Sequence, residues 1–352
     1  MRPPWPAAAV RRRARLLPAL ALAAAAAAPL AAAGEPALPA ALADAVDLRG
    51  AYRAALCERP DVGTAVCADA LRRFAGEPDA VLPPAADPAR FRLLFVPGFL
   101  ASCFPAADSF ADVVAAARTQ GFAAQVLAAE GRNDVAANAR LLAAQVEALP
   151  DDGRRLILVG HSKGSADALE LVVARPDLAR RVAAVLAVGG ALQGSPLADL
   201  LRGAYRATFA VLPFPACAWG EGDPVADLSP ARRRAWWARH GAALPVPVYS
   251  LVSVADVDRL SPALLLAHAY LSSLSPQNDG MVLARDQVGA PGRLLGVVNA
   301  DHLTVAIPFP GGLPWTFTMT ATPFPRPQAI LAAIDVIAAD LAAPPASAIL
   351  RP

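Results

Sequence analysis

The chain has 352 residues, 56% of them hydrophobic but only 6% aromatic, and a formal net charge of +2. That length can bury a full core in one large domain or two smaller ones. The near-neutral charge excludes nucleic-acid binding driven by electrostatics.

Arg11, Arg12, Arg13 and Arg15 precede an apolar run from Leu16 to Leu30, followed by Ala31-Ala32-Ala33. The run is shorter than a membrane-spanning helix needs. The pattern predicts a cleavable signal peptide over residues 1–33, cut before Gly34, and therefore a secreted or periplasmic protein. An uncleaved anchor is the alternative; no cysteine follows the run to carry a lipid. In an oxidising compartment Cys57, Cys67, Cys103 and Cys217 are expected to form disulfides. Three pairings are open, of which Cys57 with Cys67 is the locally plausible one and leaves Cys103 with Cys217. No histidine sits at ligand spacing to any of them, so no metal and no cofactor is expected.

Residues 34–90 hold a short amphipathic segment and the Pro-rich connector Val81 to Pro88, read as a surface extension ahead of a domain over 91–352. From there the elements alternate. A buried strand over 91–99 ends at Pro97-Gly98. A helix follows over 108–121, then a strand over 123–129 and a helix over 133–150 with Asn133 as N-cap. Next come a strand over 154–160, a helix over 165–176 and a strand over 181–190. Residues 194–244 break the rhythm as a cap insert. Strands resume at 245–254 and 293–300, and a helix spans 327–343. Alternation of this kind, with continuous apolar strands, predicts an α/β protein with a mostly parallel central sheet and helices on both faces.

The stretch "LILVGHSKGSADAL" (156–169) runs from strand through Gly-x-Ser-x-Gly directly into helix. A serine on such a sharp turn projects its hydroxyl above the sheet, and the glycines make room for the neighbouring strand and helix. Ser162 is thus the expected nucleophile. Its hydroxyl needs a base. Of the four histidines, His161 points elsewhere at the turn, His240 lies in the insert, and His268 sits in the apolar "LLLAHAYL" as a packed residue. His302 follows a strand at once and so lies at the carboxyl edge of the sheet, where Ser162 also sits. The orienting carboxylate is expected from Asp279, 23 residues before His302; Asp256 and Asp258 also end a strand and compete, whereas Asp301 is adjacent to the base. The Phe99 and Lys163 N–H groups are the expected oxyanion donors.

With those residues assembled the chain resembles the α/β-hydrolase superfamily, in particular bacterial secreted triacylglycerol lipases and esterases, through "FVPGFL", "GHSKG", "GALQGSPLAD", "NDGMV" and "NADHL". The resemblance spans roughly residues 91–310. It implies an α/β-hydrolase fold with a lid or cap, and an ester-hydrolysing Ser162–Asp279–His302 triad. Pro97 stands where such lipases usually have histidine. Leu303, Thr304 and Val305 stand where many carry a calcium-binding aspartate, and Lys163 adds a positive charge beside the nucleophile. The expected substrate is a lipid-like or polyester ester with a hydrophobic acyl group. The insert leaves open a transient contact with a membrane or lipid surface. Its three tryptophans and "YRATFAVLPFPACAW" read either as an acyl pocket or as the insert's own core. An acyltransferase with the same triad, or a catalytically silent binding protein of the cell envelope, are the alternatives in function.

Overall fold

The computed structural model of the protein describes residues 35–79, 81–104, 108–208, 213, 216–309 and 323–343. The signal-peptide reading of residues 1–33 lies outside them. Seven strands form one parallel sheet: β1 (Val46–Asp47), β2 (Phe91–Val96), β3 (Ala123–Val126), β4 (Arg155–His161), β5 (Val182–Val188), β6 (Val248–Ser253) and β7 (Arg293–Val298), in the order β1-β7-β6-β5-β4-β2-β3. The helices are α1 (Ala40–Ala43), α2 (Arg49–Cys57), α3 (Gly63–Ala70), α4 (Ala111–Thr119), α5 (Val135–Glu147), α6 (Lys163–Ala174), α7 (Pro176–Ala179), α8 (Pro196–Ala207), α9 (Pro224–Asp227), α10 (Pro230–His240), α11 (Leu265–Ser272) and α12 (Arg326–Ala342).

The strands are apolar on both faces because both are covered. In β2, Phe91, Leu93 and Phe95 face one core with Val113 of α4 and Ile330 and Ile334 of α12, while Leu94 and Val96 face the other with Leu142 of α5 and Leu169 of α6. The 2.0-residue period of a strand thus serves two hydrophobic layers at once.

Residues 35–79 do not lie over the surface as expected. Val46 and Asp47 pair with Arg293 and Leu294 of β7, and Tyr52 and Leu56 of α2 are buried in the core shared with α12. Tyr52 seats against Gly296, where a β-carbon would lie 2.5 Å from its ring. The N-cap of α5 also differs from the expectation. Asp134, not Asn133, accepts the Ala137 amide at 2.7 Å; the Asn133 carboxamide instead accepts the Glu221 amide. Both disulfides form as the local pairing implied, Cys57–Cys67 and Cys103–Cys217.

The insert divides in two. Its first half, α8, stands over the carboxyl edge of the sheet. Its second half, α10, covers the sheet itself. Trp236 and Trp237 are buried with Leu169 and Val248, their indole N–H groups donating to the Glu170 carboxylate and the Leu192 carbonyl. Trp219 is exposed, with the Arg132 guanidinium 4.5 Å from its ring. The tryptophans therefore line no acyl pocket, because helix α10 turns its aromatic face to the sheet. No helix among the described residues is long and apolar enough to cross a membrane.

Candidate active site

Ser162 links the end of β4 to the start of α6 with φ 53° and ψ −124°, a backbone conformation that costs a residue with a β-carbon about 1–3 kcal/mol. Crowding holds it there. A β-carbon on Gly160 would lie 2.5 Å from the Ser165 backbone, and one on Gly164 would lie 2.3 Å from the Val96 carbonyl oxygen. Only glycine on each side lets β4, α6 and β2 converge on the serine.

His302 lies in the turn that follows β7. Asp301, fully buried, shapes that turn by accepting the amides of Ser261, Leu303 and Thr304 at 2.6, 3.0 and 2.7 Å. The ring then bridges two partners: its Nε2 is 2.8 Å from Ser162 Oγ and its Nδ1 is 2.8 Å from Asp279 Oδ2. Asp279 sits in "NDGMV", where its Oδ1 accepts the Met281 and Val282 amides. Its Oδ2 also accepts the Ser253 hydroxyl at 2.7 Å and lies 3.3 Å from Gln287 Nε2. Burial alone would push this carboxyl up; the His302 ring and the hydrogen bonds from His302, Ser253 and Val282 outweigh it and hold it below the ordinary value. The acid is thus kept ionised, and it fixes the ring with Nδ1 donating and the Nε2 lone pair facing the serine.

The other sequence candidates lie elsewhere. Asp256 pairs with Arg72 and accepts from Asn299, and His240 packs on Trp236. His268 lies on α11 near Ser272. His161 has a part that sequence reasoning missed. Its Nε2 donates to the His302 carbonyl at 2.8 Å, and its ring centroid is 4.8 Å from that of His302. Burial first, then the neighbouring His302 ring, push it down to about 3, so it stays neutral beside the His302 ring. Ser253 and Gln287 were also missed.

Lys163 does not bring a free charge to the serine. Its side chain is 1% exposed and its Nζ pairs with Asp167 Oδ1 at 2.7 Å, one helical turn on. Among the described residues the main-chain amides of Lys163 and Phe99 have no partner in the protein. The first belongs to the open N-terminus of α6. Phe99 follows Gly98, where a β-carbon would lie 3.1 Å from that of Ser162.

Ser162 and His302 open onto a cavity of about 200 Å³ whose other walls include Leu197, Ala198 and Leu201 of α8, with Leu100, Val225 and Met281. Ser195 caps α8 and donates to the Met281 carbonyl at 2.6 Å, tying this apolar wall to the loop that carries Asp279. That is the place of the "GSP" stretch in the site.

The nearby short turn Ala284–Gln287 carries a second buried carboxyl. Asp286 is 4% exposed, and its Oδ2 has no hydrogen-bond partner among the described residues. Burial pushes it up to about 6 against the pull of Arg285 and Arg234. The folded protein therefore holds this proton more tightly than the unfolded chain, whose value is near 3.8. Stability from this group is full below that value, falls as pH rises between the two values, and is lost above about 6. Asp286→Asn is expected to raise unfolding free energy at alkaline pH by up to about 3 kcal/mol and to change it little in acid. Denaturant melts at the two pH values check this; an equal gain at both contradicts it.

A parallel sheet with a Ser–His–Asp line at its carboxyl edge defines an α/β-hydrolase fold. No protein-family model and no curated sequence matches the chain. Among solved structures, the metagenomic carboxyl esterase MGS0156 is 34% identical, with a TM-score of 0.78 over 86% of this chain and 95% of that one. The mature lipase BlEst2 of Bacillus licheniformis is 23% identical, with a TM-score of 0.50 over 65% of this chain and 90% of its own. EstA of Clostridium botulinum is 10% identical, with a TM-score of 0.53 over 73% and 89%; these two share the fold. The chain belongs to the α/β-hydrolase family of the carboxyl esterase MGS0156.

Proposed function

We propose that the protein is an exported serine hydrolase that cleaves carboxylic esters with a hydrophobic acyl group through an acyl-enzyme on Ser162. The observation that carries this reading is the 2.8 Å approach of Ser162 Oγ to His302 Nε2 at the floor of an apolar cavity. His302 takes the serine proton as Oγ attacks the ester carbonyl. The tetrahedral oxyanion forms between the Phe99 and Lys163 amides. Its collapse expels the alcohol, which receives the proton from His302, and a water activated by the same ring then frees the acid. Asp279 stabilises the imidazolium in both halves and stays ionised. Export is supported by the basic and apolar N-terminal stretch and by the two disulfides.

The cavity measures about 200 Å³, so a short to medium acyl chain fills it and a palmitoyl chain overruns it. Turnover of p-nitrophenyl esters is expected to rise from acetate to a maximum between butanoate and octanoate and to fall by palmitate. A maximum at palmitate overturns the size argument. A fluorophosphonate probe is expected to label the wild type and not Ser162→Ala; a wild type that resists labelling overturns the serine mechanism.

A further inference from the structure

Resting on the serine-hydrolase reading, we infer that Lys163, Asp167, Asn138 and Glu130 are positioning residues: they form one polar strut, buried from Lys163 to Asn138 and half-buried at Glu130, that sets the Phe99 amide against the Lys163 amide. The two donors come from different elements, and the elbow packs against Gly98 but, among the described residues, makes no hydrogen bond to Phe99. Leu100, the next residue, has φ 60°, a conformation a leucine holds only when its surroundings impose it.

The strut can be followed link by link. Lys163 Nζ donates to both oxygens of Asp167, at 2.7 and 3.0 Å. Asn138 Nδ2 donates to Asp167 Oδ2 at 2.8 Å and to the Glu130 carbonyl at 3.1 Å, while Asn138 Oδ1 accepts the Glu130 amide at 3.1 Å. The following residue, Gly131, accepts the Leu100 amide on its carbonyl at 3.0 Å. It presses so close that a β-carbon would lie 2.6 Å from Leu100 Cα. Ser102 closes the path, accepting the Gly131 amide and donating to the Glu130 carboxylate, each at 2.8 Å. Lys163, Asp167 and Asn138 are each at least 98% buried. A buried ion pair adds little net stability over apolar side chains of similar volume. Its contribution here is directional, because every link has a fixed length and the last one holds the peptide unit beside the oxyanion site. Lys163 has no acid–base part in this scheme, since its Nζ is engaged by Asp167 and faces the Asp134 carbonyl.

The test uses two variants of the full chain. Lys163→Met/Asp167→Leu removes both charges together, so that neither is stranded, and Asn138→Leu cuts the strut in its middle. Active serines are counted by fluorophosphonate titration, so loss of folded protein does not enter the result. For each variant kcat per titrated serine on p-nitrophenyl butanoate is expected to fall about tenfold or more, with KM nearly unchanged. Inhibition by an alkyl boronic acid, whose tetrahedral adduct places an oxygen at the oxyanion position, is expected to weaken by a similar factor. The pH dependence of kcat should not move, because His302 and Asp279 are untouched. Undiminished kcat per serine with undiminished boronate affinity in the double variant overturns the strut, and so does a shifted pH profile, which would place the effect at His302. Ser162→Ala is run alongside: if it keeps turnover, the serine reading itself has failed and takes the strut with it.

Discussion

Replacing His302 with alanine is expected to lower kcat on p-nitrophenyl butanoate roughly 10⁴- to 10⁶-fold, with KM little changed. The size of the loss follows from what the ring does. A serine hydroxyl at neutral pH is a poor nucleophile until a base accepts its proton, and among the described residues no other titratable side chain bonds Ser162 Oγ. Asp279→Asn should cost about 10⁴-fold by a different route. An amide whose NH₂ group faces Nδ1 favours the tautomer with the proton on Nε2, which can no longer accept from the serine. The carboxyl is built to prevent this, with four donors besides His302 around its two oxygens. His268→Ala, on α11 and near Ser272, is expected to leave kcat close to that of the wild type. Turnover kept by His302→Ala and lost in His268→Ala would overturn the assignment of the base.

The second large effect concerns stability. Cys103 and Cys217 are 114 residues apart, and Cys57 and Cys67 are 10 apart. If cross-links act by restricting the unfolded chain, the long loop is worth about 5 kcal/mol and the short one about 3. Cys103→Ser/Cys217→Ser should thus lower the melting temperature by about 10 °C, and more than Cys57→Ser/Cys67→Ser does. The longer bridge also has a local consequence. It ties the turn after Leu100 to a segment that Glu130, Asn133 and Asp134 hold through Ala218 and Glu221. Thermal melts of the two double variants decide the matter: a larger loss from the short loop contradicts the chain-restriction account.

Much of this architecture could be read from residues alone. The core strands announce themselves as unbroken apolar runs because parallel strands are covered twice. Ser162 stands out because Gly160 and Gly164 flank it between a strand and a helix, His302 because it follows a strand at once, and Asp279 because it precedes a short apolar stretch 23 residues before His302. What stayed hidden depends on distant partners. β1 is two residues long and pairs with a strand some 245 positions later, and Arg49 at the start of α2 is buried only because Asp47 pairs with it. Asn133 and Asp134 are equally good caps on paper, and the choice is made by Glu221. Trp236 and Trp237 carry no sign of which side of α10 meets the sheet. Ser253 and Gln287 have no motif, since they act only through the carboxylate they hold. The role of Lys163 was misread: its sequence position beside Ser162 suggested a charge at the site, whereas Asp167, four residues on, takes that charge up within α6.

The segment before the first core strand also closes the sheet on one side. Its residues bond β7 at both ends, through Val46 and Leu48 to Gly292 and Leu294, and through Arg72 and Ala70 to Val297 and Asn299. A chain beginning at the Pro-rich connector would leave that row of amides and carbonyls bare. An uncovered rim of this kind invites a strand from another molecule, so the segment guards against association between copies as well as completing the core.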